Sequence, residues 1–218
     1  MAAQPANQSL SRRERDALCE VMDRVGPDAP TLCAGWTTYD LAAHLVLREG
    51  SPLSGAGLVF PPLERLTNKG MDRLRSRVPY PDLVDRVRHG PPMLSPFRPA
   101  KVDRAANAVE YFVHHEDVLR AQPGRQRREV DPRDQDSLWS RVGALGRLTA
   151  RRATVGIELV RTDVADNRRI RSGEPTLVAR GLPSELVLFV YGRGEHAEVE
   201  VEGDAEARKA FDHSQLGL

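Results

Sequence analysis

The sequence predicts an α+β protein, with an all-helical portion over residues 1–152 and a smaller α+β portion over 153–218. Three observations carry this expectation. Apolar residues recur at helical spacing through the first portion, between breaks rich in Gly and Pro. After residue 153 the pattern turns to β-branched runs and polar/apolar alternation. A hydrophobic fraction of 40% with 29% charged residues belongs to a soluble, folded chain, and 218 residues suffice for one generous domain or two small ones.

Leu10, Leu18, Val21, Met22 and Val25 predict a first helix over 9–25, ended by Gly26-Pro27 and Pro30. A second helix begins near Thr37, where Thr37 and Asp40 resemble a capping box, and runs to Glu49 before Gly50-Ser51-Pro52. The stretch 50–62 reads as a loop. Leu63, Leu66, Met71 and Leu74 predict a third helix over 63–77, and a short helix over 81–89 follows Pro79. Four prolines within 90–99 argue against regular structure and predict a long ordered loop or lid. A strongly patterned helix covers 101–122 and is closed by Pro123-Gly124. Asp131-Pro132 supplies an N-cap followed by proline at the first helical position, opening a helix to about Ala153. Residues 154–160 read as a strand, Ile170 and 176–179 as short extended segments, 183–191 as a short helix, 197–203 as a half-buried strand, and 204–211 as a terminal helix.

Composition excludes several functions. Lys plus Arg is 32 against 31 Asp plus Glu, a formal net charge of +1, whereas a nucleic-acid binder shows a strongly basic face. All but Lys69, Lys101 and Lys209 of the basic residues are arginines, spread so evenly that they read as coding bias rather than a phosphate site. No apolar run approaches the ~18 residues of a membrane span, so no membrane role is expected. Residues 1–10 lack a basic start followed by an apolar core, and no secretory signal is expected. Cys19 and Cys33 make neither a disulfide framework nor a thiolate zinc cluster, which points to the reducing cytoplasm.

The chemistry lies in the histidines. Glu110 and His114 are four apart on the helix 101–122, roughly 40° apart on one face, a spacing that lets carboxylate and imidazole reach one metal ion. A solvated pair is the alternative. His44 sits in the apolar run 41–47, so it is expected to be buried and to need hydrogen bonds or a metal. A core histidine satisfied by a neighbouring helix is the alternative there. Asp103, Asn107 and Asp117 share the stripe of Glu110, while Val102, Val109, Phe112, Val113 and Leu119 form an apolar arc that Glu116 interrupts. Asp117 is placed either to hold an imidazole by its other N–H or to be a solvated carboxylate. His115 points about 100° away from His114 and is the weaker ligand candidate, reading rather as a surface or packing residue. If His44, Glu110 and His114 meet, three protein ligands leave open positions, as catalytic rather than structural sites do.

At these residues the chain resembles a known family. Residues 36–45, Trp-Thr-Thr-Tyr-Asp-Leu-Ala-Ala-His-Leu, look like the W-[ST]-x-x-D-L-x-A-H-L signature of the actinobacterial mycothiol-dependent maleylpyruvate isomerases. These belong to the DinB-like superfamily of metal-binding four-helix bundles. Residues 110–118, Glu-Tyr-Phe-Val-His-His-Glu-Asp-Val, are similar to its second signature, E-x-x-x-H-x-x-D-L, although His115-Glu116 replace a common Gly and aromatic. The resemblance implies a DinB-like bundle over 1–152 with His44, Glu110 and His114 as ligands of a divalent metal, most often zinc. Past 152, Gly181-Leu182-Pro183-Ser184-Glu185-Leu186 and Tyr191-Gly192-Arg193 look like the family's C-terminal domain. There the resemblance implies an arginine that faces the metal pocket and binds an anionic substrate, for which Arg193 is the candidate. It also implies mycothiol as cofactor, a small electrophilic substrate, and a homodimer in many relatives though not all.

The expected function is therefore a metal- and thiol-dependent isomerase or S-transferase, in which the metal activates a bound thiolate. No protein cysteine is needed; Cys33, in a turn just before Trp36, could approach the site, but a buried structural thiol is the better reading. A non-catalytic metal or small-molecule binding protein is the alternative. A carrier of apolar ligands fits least, because the C-terminal portion is short and charged and only 5% of residues are aromatic.

Overall fold

Helix α1 (Leu10–Val25) starts where Ser9 Oγ accepts the Arg12 N–H at 3.3 Å, and it ends at Gly26, whose φ of 81° turns the chain out. The structure, a computed structural model, describes residues 8–50, 64–93, 95, 97–124, 127–212 and 216. The loop expected over 50–62 falls, apart from Gly50, outside the described residues. α2 (Thr38–Gly50) follows a turn, and Asp40 Oδ2 accepts both the N–H and the hydroxyl of Thr37, at 2.9 and 2.8 Å. That is one arm of a capping box, with the threonine hydroxyl donating to the acid. α3 (Glu64–Arg75), α4 (Tyr80–His89) and α5 (Ala100–Arg120) are the further helices before residue 127 among the described residues. The described residues of 90–99 hold no helix or strand apart from the bond pattern of turns, as the prolines require.

These five helices share one core. α1 packs along α5 and against α4, and α2 packs on α3 and α4. Leu18, Met22, Leu41, Ala42, Leu45, Leu83, Tyr111 and Val118 are buried together. His115, expected at the surface or in packing, is buried, with Nδ1 2.8 Å from Glu14 Oε2. Glu116 is also buried and accepts from Arg120 Nε at 2.6 Å. Val102, assigned to the apolar arc, is 38% exposed.

The chain divides into two compact units, residues 1–127 and 128–218. This division falls before α6 (Pro132–Thr149), whereas the change of sequence pattern comes after residue 152. α6 packs along α7 (Pro183–Val190) and the strand β2 (Asp166–Arg171). Its Gly146 comes so close that an added Cβ would lie 2.8 Å from Ile170 Cγ2. Helical periodicity identifies α6 but not the partners that bury it, which are α7 and strand β2.

The sheet has the order β2-β1-β3-β4, with β1 (Gly156–Arg161) parallel to β3 (Thr176–Gly181) and the outer pairs antiparallel. Every residue of α7 is buried, and Gln135 caps it by accepting the Ser184 N–H at 2.8 Å. The strand expected over 197–203 is shorter, β4 being Glu200–Glu202, because the Glu198 N–H bonds Glu185 Oε2 at 2.9 Å. α8 (Ala205–Asp212) closes the described order.

The crossing from β2 to β3 runs directly over Gly156. A Cβ there would sit 2.3 Å from the Gly173 carbonyl oxygen and 2.7 Å from Thr176 Oγ1. Gly156→Ala therefore forces backbone to shift, and a loss of about 1–3 kcal/mol is expected in the second unit. Denaturation followed at Trp139 checks this; an unchanged midpoint would show that the crossing yields freely.

Candidate metal centre

α2 and α5 bring the sequence-selected residues together. His44, in the buried run on α2, faces Glu110 and His114, one turn apart on α5. His44 Nε2 is 3.6 Å and His114 Nε2 is 3.3 Å from the same oxygen, Glu110 Oε1. One ligand atom from each of the three lies within 4.8 Å of the others. The two imidazoles meet edge to face with centroids 5.5 Å apart, and the Trp36 ring packs tilted on His44 at 5.0 Å. All three residues are buried, His44 to 3% exposure.

Neither ring nitrogen of His44 makes a well-formed hydrogen bond, and Glu110 Oε1 is met by ion-pair contacts instead, from Arg48 Nε at 3.1 Å and from the two imidazoles. Leaving such a buried group unsatisfied costs about 1–3 kcal/mol each. Two imidazoles and a carboxylate are a donor set suited to zinc and related divalent ions, and the residues fit such an ion. Both alternatives left open by the sequence are thereby narrowed. The Glu110–His114 pair is buried rather than solvated, and His44 faces Glu110 Oε1 of the neighbouring helix at 3.6 Å without a well-formed hydrogen bond.

Charge sharpens the picture. Burial pushes the His44 imidazole below its usual range, partly offset by Glu110, so the ring is neutral. Burial pulls Glu110 upward, but Arg48 and the two histidines outweigh it and hold the carboxyl well below its usual value. For His114 burial pushes down, and bonds to Asp117, Cys33 and Glu110 raise it well above the ordinary histidine value.

Asp117 is fully buried and its Oδ2 lies 3.0 Å from His114 Nδ1, the position that orients an imidazole by its other N–H. Two further residues were not selected from the pattern. Arg48, one turn beyond His44, places Nε 3.1 Å from Glu110 Oε1 and donates from Nη1 to Asn107 Oδ1 at 2.6 Å. Its i,i+4 relation to His44 was the available signal, obscured by the abundance of arginine. Cys33, read as structural, donates its thiol to Asp117 Oδ2 at 3.2 Å. Arg193 lies in the second unit, where Nη1 donates to the Tyr191 carbonyl at 2.6 Å. A cavity of about 630 Å³ lined by Val46, Leu47, Leu74 and His89 includes none of the three clustered residues.

No protein-family model matches the chain, and no curated protein is significantly similar to it in sequence. Two solved structures match in fold over 90% of this chain and 92% of theirs, at 15% identity. They are the mycothiol-dependent maleylpyruvate isomerase, with a TM-score of 0.55, and a histidine-to-alanine mutant of it, with 0.58. The chain has the fold of the mycothiol-dependent maleylpyruvate isomerase. On that isomerase fold it carries a buried His-Glu-His cluster. Among the described residues no helix is long and apolar enough to cross a membrane.

Proposed function

We propose that the chain is a divalent-metal-binding, thiol-dependent isomerase or S-transferase whose first unit is a DinB-like four-helix bundle. His44, Glu110 and His114 would hold the metal, zinc being the leading candidate, and Asp117 would keep His114 oriented. The observation that carries the reading is the meeting of three buried donor residues, His44, Glu110 and His114, with one ligand atom of each within 4.8 Å of the others and neither ring nitrogen of His44 in a well-formed hydrogen bond. The isomerase fold supports mycothiol as the thiol and a small electrophile related to maleylpyruvate as substrate. A divalent cation in this site supplies one thing: it lowers the pKa of a coordinated thiol, so that a thiolate nucleophile is present at neutral pH.

The protein's own groups do the rest. Three side chains leave room in the coordination sphere for an exogenous ligand. Burial of His44 keeps its imidazole neutral and able to donate a lone pair. Arg48 holds Glu110 as carboxylate, and Asp117 accepts a hydrogen bond from the Nδ1–H of His114, leaving the Nε2 lone pair for the metal. Arg193 is proposed to bind the carboxylate of an anionic substrate. The enzyme is proposed to act in the cytoplasm.

Purified without a polyhistidine tag, the full chain is expected to hold about one zinc per chain. His114, held above its usual value, must lose a proton when it ligates, so affinity falls as pH falls. Because that proton competes from above the ordinary histidine range, affinity is expected to fall already through neutral pH, with release complete in acid. Retention of the metal at pH 4 would exclude imidazole ligation. Mycothiol is then titrated into the zinc-loaded chain, with maleylpyruvate as trial substrate. Thiol binding with turnover supports the enzyme reading, and zinc binding without thiol binding points to a non-catalytic metal protein.

A further inference from the structure

We propose that Cys33 is a positioning residue of this metal centre, its thiol anchoring the Asp117 carboxylate that orients His114. The inference rests on the ligand reading above. His114 has two differently occupied edges. Its Nε2 faces Glu110 Oε1 at 3.3 Å, and its Nδ1 faces Asp117 Oδ2 at 3.0 Å. The Cys33 thiol meets that same Oδ2 at 3.2 Å and lies 4.0 Å from Nδ1. The sulfur is therefore on the edge of the ring opposite the His44–Glu110 cluster, where it does not share a cation with Nε2. It acts instead on the carboxylate.

The backbone holds the thiol there. Trp36 N–H donates to the Cys33 carbonyl at 2.9 Å, closing a turn whose third residue, Gly35, has a φ of 75°, as glycine readily adopts. Thr31 Oγ1 accepts the Cys33 N–H at 3.2 Å and donates to the Trp36 carbonyl at 2.9 Å. The Leu32 N–H bonds the backbone carbonyl of Asp117 at 3.1 Å, tying the turn to α5 at the residue the thiol contacts. An imidazole's orientation and basicity depend on the partner of its distal nitrogen, and loss of such partners lowers metal affinity by roughly 10–100-fold. A thiol is a weak donor acting one residue further out, so about tenfold is expected here.

The test uses the full chain and zinc, with affinity read by competition against a chromophoric chelator. Cys33→Val keeps bulk without the donor, and Cys33→Ser keeps a donor. Thermal melts of the metal-free proteins show that each variant folds. Cys33→Val is expected to bind zinc about tenfold more weakly, with Cys33→Ser recovering most of the loss. Equal affinity in Cys33→Val and the parent overturns the proposal while the ligand reading stands, and so does a Cys33→Ser variant as weak as Cys33→Val. In the cobalt-loaded parent, a thiolate-to-metal charge-transfer band would show Cys33 to be a ligand and overturn the positioning role. A parent that binds no metal instead overturns the ligand reading itself.

Discussion

A His44→Ala chain is expected to bind zinc more than about 100-fold more weakly than the parent while keeping its fold, since ligand loss exceeds the roughly 10–100-fold effect of losing an outer partner. His44 lies at 3% exposure with both ring nitrogens unpartnered, so the metal-free fold draws no hydrogen bond from the imidazole. Its removal relieves two buried unsatisfied atoms and leaves a void beside Trp36, two effects of opposite sign on stability. The variant's metal-free melting temperature should therefore stay near the parent's. Zinc should separate them. At about 100 times its Kd a ligand stabilises the fold by about 2.7 kcal/mol, and that gain should vanish in the variant. Melts with zinc and with chelator measure both quantities. An equal zinc-induced shift in both chains would remove His44 from the site.

The largest loss of stability is expected at Glu49. Its two oxygens accept from Arg15 Nη1 at 2.8 Å and Nη2 at 2.6 Å, with both side chains at most 4% exposed. Removing one partner of a buried pair leaves an uncompensated charge and costs about 3–5 kcal/mol. Asp103 Oδ1, 3.3 Å from Arg15 Nη2, and the Val87 carbonyl at 2.9 Å remain, so about 3 kcal/mol is expected for Glu49→Ala. Folded domains have only about 5–15 kcal/mol in total. The chain's two tryptophans fall one in each unit, Trp36 and Trp139, so Trp→Phe backgrounds assign each denaturation transition to its unit. The Trp36 transition should move and the Trp139 transition should not. The double variant Arg15→Met/Glu49→Leu should recover much of the loss, because apolar residues of similar volume replace such pairs well. No shift in the Trp36 transition would mean that the pair contributes nothing net.

Much of the candidate site was legible in local pattern. Four-residue spacing placed Glu110 above His114, and the apolar run around His44 announced a buried imidazole. The helices lie close to their expected bounds because caps and prolines act on their immediate neighbours. The compact units divide at residue 127 and the change of pattern falls at 152, because α6 has the same periodicity whether it joins helices or a sheet. Arg48 was missed because one arginine among so many carries no local mark.

By itself the sequence determined the helical segments, the α+β class and the side chains able to ligate a metal. All of these depend on contacts between residues three or four apart, or on the chemistry of single side chains. Only the tertiary structure decided which charges meet. Arg15 and Glu49 are 34 residues apart, Arg48 and Asn107 are 59 apart, and Cys33 and Asp117 are 84 apart. Helical periodicity assigns each of these a face of its helix but no partner. Packing supplied partners for Asp103, Asn107 and Asp117 and none for the nitrogens of His44, which is the difference between a buried polar network and a candidate metal site.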